Sequence, residues 1–167
     1  MIRNVKTEDA APLVAIYNHY IENTVITFEE MPLTEMEFAE RITSITHDFP
    51  WIVHEQEQNV ITGYAYANTW KTRGAYRQCV EISMYLDKNQ LGKGIGTQLY
   101  QALIDALKAR GKHTLLAGIA IPNDASIALH RKLGFEKVGY FKEVGRKFDR
   151  WLDVEYWELL INPQSPQ

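Results

Sequence analysis

Apolar and polar positions along the chain follow two periods, and the switches between them mark out the elements. Residues 2–6 read as a short strand. Leu13, Ile16, Tyr17, Tyr20 and Ile21 then recur at helical spacing, behind Thr7 as the expected N-cap with Glu8 and Asp9 in the first turn. A second helix opens on a capping-box pattern, Thr34-Glu35-Met36-Glu37, and carries Phe38, Ile42 and Ile45 on one face. Residues 51–55 and 60–68 predict two strands joined by a polar turn, and residues 71–78 a polar loop. Val80, Ile82, Met84 and Leu86 alternate with Glu81, Ser83 and Tyr85, a strand with one polar side. The helical period returns over residues 97–110, with Ile95, Leu99, Ala102, Leu103 and Ala106 expected inside and Gly111 as the stop. Residues 114–120 form a buried strand. Pro122-Asn123-Asp124 opens a short helix ending at Gly134, and residues 135–142 and 152–161 supply the last two strands. The order is β-α-α-β-β-β-α-β-α-β-β, which predicts one α/β domain over residues 1–161 with helices on both faces of a mixed sheet. Residues 162–167, with two prolines, are expected to be a flexible tail.

Composition narrows the class. A chain of 167 residues can bury a real core, and 46% hydrophobic with 23% charged residues is ordinary for a globular protein. A net charge of −3 speaks against nucleic-acid binding. No apolar run is long enough to span a bilayer, and the first residues lack a signal peptide's apolar core. A single cysteine, Cys79, excludes an intrachain disulfide, so a cytoplasmic protein is expected. Cys79 is read as a small buried residue in preference to a nucleophile. His19, His47, His54 and His113 show no metal-ligand spacing, and no metal site is expected.

Candidate chemistry centres on Leu91-Gly92-Lys93-Gly94-Ile95-Gly96-Thr97, between a strand and a helix. Glycines at alternate positions free backbone N–H groups at a helix N-terminus, where they can cradle a phosphate or pyrophosphate. A Walker loop would need Lys-Ser/Thr after its second glycine, and a dinucleotide fingerprint has a different spacing; the sequence matches neither. Alone, the triplet fits a phosphate cradle or a plain loop.

The order of elements, with the glycine loop after the fourth strand, resembles the GNAT acyltransferase superfamily. So does Asn123-Asp124-Ala125-Ser126-Ile127-Ala128-Leu129-His130 with the later Gly134-Phe135. Several segments are similar to the phosphinothricin N-acetyltransferase group, which includes acetyltransferases for methionine sulfone and methionine sulfoximine. They are Asn18-His19-Tyr20-Ile21, Thr27-Phe28, Pro50-Trp51, Trp70-Lys71-Thr72-Arg73-Gly74-Ala75-Tyr76, Glu81-Ile82-Ser83-Met84-Tyr85, Ile121-Pro122-Asn123-Asp124 and Gly145-Arg146-Lys147 followed by Trp151-Leu152-Asp153. The likeness covers residues 2–160. Leu91 departs from it where the superfamily usually has Arg or Gln, and Asp149 where relatives commonly carry Gly.

The resemblance implies a GNAT-type, mostly antiparallel central sheet flanked by helices. It implies acetyl-CoA as co-substrate, with its pyrophosphate on the amides of Leu91, Gly92, Lys93, Gly94, Ile95, Gly96 and Thr97. Asn123 is then a contact for the pantetheine arm, and the Ser83, Met84 and Tyr85 stretch offers a backbone N–H to the thioester carbonyl. Implied too are transfer to the α-amine of a small amino acid analogue, a role in antibiotic resistance, and a homodimer, with which the apolar, aromatic C-terminal strand is compatible. Glu81 faces the acceptor amine in the resembling group. A carboxylate acting directly or through water is a sensible base for an ammonium that is mostly protonated at neutral pH. The alternative for Glu81 is an ion pair with a nearby Lys or Arg.

His130 stands where many members place a tyrosine acid, and near the face of Asn123. It is carried as a general acid or a cofactor contact, with a purely structural histidine as the alternative. Phe28 is expected to wall the acceptor pocket, and Lys71, Arg73 and Tyr76 to bind a substrate carboxylate and a second oxygen-rich group. Otherwise those three form a solvated basic loop. Trp151 and Tyr156 are read as core or interface. Two other functions stay open: an acyl-CoA-binding sensing module without turnover, and a protein or peptide N-terminal acetyltransferase.

Overall fold

The computed structural model describes residues 1–162. Its strands are β1 (Ile2–Asn4), β2 (Trp51–Glu55), β3 (Ile61–Thr69), β4 (Cys79–Leu86), β5 (Thr114–Ile121), β6 (Glu136–Lys147) and β7 (Arg150–Leu160). They form one seven-stranded sheet in the order β1-β2-β3-β4-β5-β7-β6. Helices α1 (Ala10–Asn23), α2 (Glu35–Thr46), α3 (Ile95–Ala109) and α4 (Asp124–Lys132) flank it. Every neighbouring pair is antiparallel except β4 and β5. That parallel pairing holds only from Cys79–Thr114 to Glu81–Leu116. Beyond Glu81 the two strands part, and backbone groups on that side of β4 have no strand partner.

The period of two along the strands assigns each face its work. Val80 and Ile82 of β4, with Leu115, Ala117 and Ile119 of β5, turn to α3 and its Leu99, Leu103 and Leu107. On the opposite face, Trp51, Val53 and Tyr64 pack under α1 and α2, against Leu13, Tyr17, Phe38 and Ile42. Trp51 stacks on Tyr66 at 4.3 Å between ring centroids. Each such buried side chain contributes roughly 1.5–3 kcal/mol by removal from water. On that second face Glu81, Ser83 and Tyr85 alternate with the core residues of β4; Tyr85 packs edge-on to Tyr17 of α1 at 4.8 Å, and Glu81 and Ser83 line a cavity.

Local signals explain most boundaries. The Thr34 side chain accepts the Glu37 N–H at 3.2 Å, and Glu37 answers by accepting the Thr34 N–H at 2.7 Å. Gly111, at φ +71°, ends α3, and Gly134, at φ +89°, ends α4. The first helix differs from expectation. Thr7 does not cap it; Thr7–Asp9 is a separate 3-10 turn in which the Asp9 carboxylate takes the Lys6 N–H and the Arg3 guanidinium, each at 2.8 Å. In α3, Tyr100, Ile104 and Leu107 are buried, whereas Ala102 and Ala106, expected inside, stand half-buried at the edge of the stripe. Strand β6 runs on to Lys147, through a break in register between Phe141 and Gly145. The expected tail lies outside the described residues apart from Asn162, whose amide donates to the Lys112 carbonyl at 2.7 Å. Among the described residues no helix is long and apolar enough to cross a membrane.

Candidate active site

Three cavities meet where β4 and β5 part. One, of about 460 Å³, lies on the α1/α2 face of the sheet. Its floor is Glu81, Ser83, Gly118 and Tyr156, its walls include Trp70 and Lys71, and Ile26, Thr27 and Phe28 from the α1–α2 connection roof it. This is the candidate acceptor cavity. A groove of about 510 Å³ runs past Leu91, Gly92, Gly94, Gly96 and Thr97 toward Met84 and Asn123. Between them a small joint of about 60 Å³ passes through the strand gap, bounded by Ser83, Met84, Tyr85, Asn123 and His130.

Glu81 sits on the acceptor side of the gap. Burial pushes its carboxyl above the ordinary carboxylate range, and Lys71 opposes that shift from a distance. No ion pair among the described residues claims it. A half-buried, unpaired carboxylate with enhanced proton affinity is suited to taking a proton from an ammonium. Lys71 lines the same cavity, its Nζ 5.1 Å from the centre of the Trp70 ring. Phe28 lines it too, with its ring laid on Gly145: a Cβ there would stand 2.2 Å from a ring carbon. Arg73 and Tyr76 are exposed and stack on one another at 5.8 Å, outside the lining of the cavity.

The glycine loop has two kinds of glycine. Gly92 and Gly94 take φ +75° and +78°, and a Cβ on either would meet nothing within 4 Å. They give the backbone its left-handed turn beside open groove. Gly96 is different: a Cβ there would lie 3.0 Å from Met84 Cε and 3.3 Å from Leu129 Cδ2. It lets α3 pack against its neighbours. The first N–H groups of a helix lack intrahelical partners, so the N-terminus of α3 presents free donors to the groove. The side chains of Ile95 and Lys93 turn away, Ile95 into the core and Lys93 to Gln90 at 3.0 Å. Leu91 is exposed and lines the groove, where it adds apolar surface and no charge. Open groove, free helix-terminal donors and positive-φ glycines together fit a pyrophosphate-bearing arm.

Asn123 caps α4 by accepting the Ser126 N–H at 3.2 Å, which commits its carbonyl oxygen, and the residue lines both the groove and the joint. His130 is 2% exposed, with Nδ1 donating to the Ser126 carbonyl at 2.7 Å. Burial lowers its proton affinity, the Ser126 contact opposing. Burial thus favours the neutral ring, and the Ser126 carbonyl places a proton on Nδ1. His130 lines the joint beside Ser83, Met84, Tyr85 and Asn123.

Two further residues belong to the site: Tyr156, which the sequence reading assigned to core or interface, and Gly118, which it did not single out. Tyr156 is on the cavity floor, edge-on to Trp70 at 5.1 Å, and burial and Glu81 both raise its phenol's affinity for its proton. Gly118 is exposed at the cavity floor, and a Cβ there would touch the Tyr156 ring at 3.3 Å. An isolated glycine inside an apolar strand marks such a close approach. Cys79 enters β4 half-buried, its thiol pushed up to about 11 by burial and by Glu158 and Glu81, which suits packing better than nucleophilic attack.

The acetyltransferase (GNAT) domain family matches residues 2–156. The phosphinothricin N-acetyltransferase of Streptomyces coelicolor is 42% identical over 154 residues, 90% of each chain. The L-methionine sulfoximine/L-methionine sulfone acetyltransferase of Pseudomonas aeruginosa is 38% identical over 166 residues, 97% of this chain and 95% of that one. A crystal structure of a phosphinothricin acetyltransferase from Sinorhizobium meliloti in complex with acetyl-CoA superposes with a TM-score of 0.92 at 38% identity, covering 96% of this chain and 87% of that one. Fold, strand gap, glycine loop and these likenesses agree: the chain belongs to the GNAT acetyltransferase family.

Proposed function

We propose that the protein is an acetyl-CoA-dependent N-acetyltransferase acting on the α-amine of a small amino acid analogue of the L-phosphinothricin, methionine sulfoximine or methionine sulfone type. The observation that carries this reading is Glu81, a half-buried unpaired carboxylate in a cavity that opens through the strand gap onto the glycine-loop groove. The names of the relatives supply the acceptor class.

Acetyl-CoA brings the activated acetyl group. The amides of residues 91–97 at the head of α3 hold its pyrophosphate, and the Asn123 NH₂ meets its arm. Glu81 takes the proton that the acceptor's ammonium must lose before it can attack. A backbone N–H of the Ser83, Met84 and Tyr85 stretch, unpaired because β5 has parted from β4, stabilises the carbonyl oxygen as it becomes anionic. Lys71 offers a cation to the acceptor's carboxylate or oxygen-rich head. Phe28, Trp70 and Tyr156 wall the cavity and thin out its water. Acetylation removes the acceptor's ammonium charge, and the reading extends through that change to a role in antibiotic resistance.

The same reading includes a homodimer and a cytoplasmic location. Strand β6 is a free sheet edge that exposes Val138, Tyr140, Phe141 and Val144 beside Phe148 and Trp151, an apolar surface suited to a second copy. Sedimentation at micromolar concentration tests it. A lone free thiol suits a reducing compartment. A thiol-release assay over a panel of amines tests the activity: release with amino acid analogues supports it, release with peptides alone would indicate an N-terminal acetyltransferase, and no release a sensing module.

A further inference from the structure

Among the described residues, Ile26 alone lines the acceptor cavity, the joint and the cofactor groove together. Its side chain is 41% exposed and belongs to neither of the two hydrophobic core clusters. A scattered exposed isoleucine is ordinary, so the place of this one is what calls for an explanation.

The segment that carries it is braced on both sides. The Ile26 N–H donates to Thr24 Oγ1 at 3.2 Å, and the Thr24 hydroxyl donates to the Tyr20 carbonyl at 2.7 Å, near the end of α1. The Tyr20 phenol in turn donates to the Leu86 carbonyl at 2.6 Å, at the end of β4. Beyond Ile26, the Thr27 hydroxyl meets the Tyr17 hydroxyl at 2.8 Å. A β-branched side chain has little freedom at χ1. On this braced backbone Ile26 is a stiff wall over the strand gap.

The joint it bounds is about 60 Å³, about the share of two waters at roughly 30 Å³ each. A thioester that enters along the groove to meet an amine beside Glu81 must bring its acyl group there. Of the apolar side chains around the joint, Ile26 alone is exposed, whereas Ile82, Tyr100 and Ile119 belong to the core between the sheet and α3. The size of Ile26 therefore sets the room for the acyl chain without being tied to the core.

We propose that Ile26 selects the acyl donor, admitting acetyl and rejecting longer chains. The inference rests on the acetyl-transfer reading above. The step is the same for every donor: the amine nitrogen bonds to the acyl carbon, the C–S bond breaks, and its electron pair goes to sulfur. Of the two protons that the ammonium sheds, one ends on that sulfur and the other leaves through Glu81. Donors thus differ in fit alone, and one methylene too many in a closed site costs about 10- to 200-fold.

Steady-state kinetics with acetyl-, propionyl- and butyryl-CoA tests this, with L-phosphinothricin, L-methionine sulfoximine and methionine sulfone as acceptors. Wild-type kcat/KM for acetyl-CoA is expected to exceed that for propionyl-CoA about tenfold or more, and that for butyryl-CoA by more again. Ile26→Ala is expected to bring propionyl-CoA within about threefold of acetyl-CoA, and Ile26→Val, which removes one methylene, to fall between. Both variants are expected to keep the wild-type Tm, since Ile26 lies outside both core clusters. A purely structural role would slow all donors alike and leave their ratio fixed. Equal use of acetyl- and propionyl-CoA by the wild-type protein, or an unchanged ratio in both variants, would overturn the proposal alone. No thiol release from acetyl-CoA with any of the three acceptors would overturn the acetyl-transfer reading with it.

Discussion

The Lys147 ammonium, 2% exposed, donates to the Thr27 carbonyl at 2.9 Å across 120 residues of chain. This contact ties the end of β6 to the connection that roofs the acceptor cavity. The Phe28 ring resting on Gly145 makes a second tie between the same two segments. Lys147→Met keeps the aliphatic stem and removes the tie. It is expected to raise the acceptor's KM about three- to tenfold, the worth of one net hydrogen bond, with the affinity for acetyl-CoA within twofold. Gly145→Ala, which displaces Phe28, is expected to do the same. Steady-state kinetics with calorimetry checks both; an effect on acetyl-CoA equal to that on the acceptor would remove this role from the roof.

The two kinds of glycine in the loop separate by measurement. Gly94→Val puts a side chain into the open groove at a φ that β-branched residues avoid, and should weaken acetyl-CoA binding at least about tenfold once folding is confirmed. Gly96→Ala acts through packing against Met84 and Leu129, so its first symptom should be a lower Tm. Calorimetry and thermal melts of the pair check this. Unchanged affinity in Gly94→Val would move the pyrophosphate elsewhere.

Glu81→Gln keeps the shape of the side chain and cannot accept a proton. Turnover at neutral pH should fall on the order of 10²–10⁴, the usual reach of a general base. Stability should move the other way. Because burial raises the carboxyl's proton affinity in the folded protein, ionised Glu81 destabilises the fold as pH rises through its folded value, and costs nothing below the ordinary carboxylate range. Glu81→Gln is therefore expected to melt above wild type at pH 7 and level with it at pH 4. A variant within a few fold of wild-type turnover would hand the base role to another group.

The fold was legible where one signal stood alone. Thr34 and Glu37 announced α2, the alternation of β4 put Glu81, Ser83 and Tyr85 on one face, and Asn123 with Gly134 bracketed α4. The first helix start was misread because Asp9 answers to Arg3, a partner that only the β1 register brings close. The break in β6 was invisible for a like reason: Asp153 of β7 takes the Glu143 N–H at 2.7 Å. In the site, Glu81, Lys71 and Phe28 fall together as expected. Arg73 and Tyr76 do not reach the cavity lining, because spacing along a loop says little about which way it turns. Tyr156 was hidden by its apolar neighbours in β7, although Gly118 inside β5 was a usable sign of a ring lying close by.

Asp149 closes the β6–β7 turn at φ +57°, after Phe148 at +50°. Its carboxylate is 95% exposed, meets Arg146 at 3.1 Å and does not line the acceptor cavity. Asp149→Gly should relieve the left-handed backbone and stabilise the fold by about 0.5–1 kcal/mol, since an exposed ion pair offsets little. Acceptor preference should be unchanged. Chemical denaturation and a kinetic comparison of acceptors check the two halves.

Substrate identity is the claim on which the rest depends, and it predicts an order among amines. A cavity holding Lys71 beside Glu81 suits an α-ammonium next to a carboxylate and a tetrahedral, oxygen-bearing head; a polycation would want acidic walls. Lys71→Met should lower kcat/KM for such acceptors more than Arg73→Ala does, with acetyl-CoA binding intact in both. The direct measurement is kcat/KM at saturating acetyl-CoA for L-phosphinothricin, L-methionine sulfoximine and methionine sulfone, beside an aminoglycoside and a lysine-containing peptide. At least one of the first three is expected to exceed both of the others by tenfold or more; a clear preference for the aminoglycoside or the peptide would contradict the assignment.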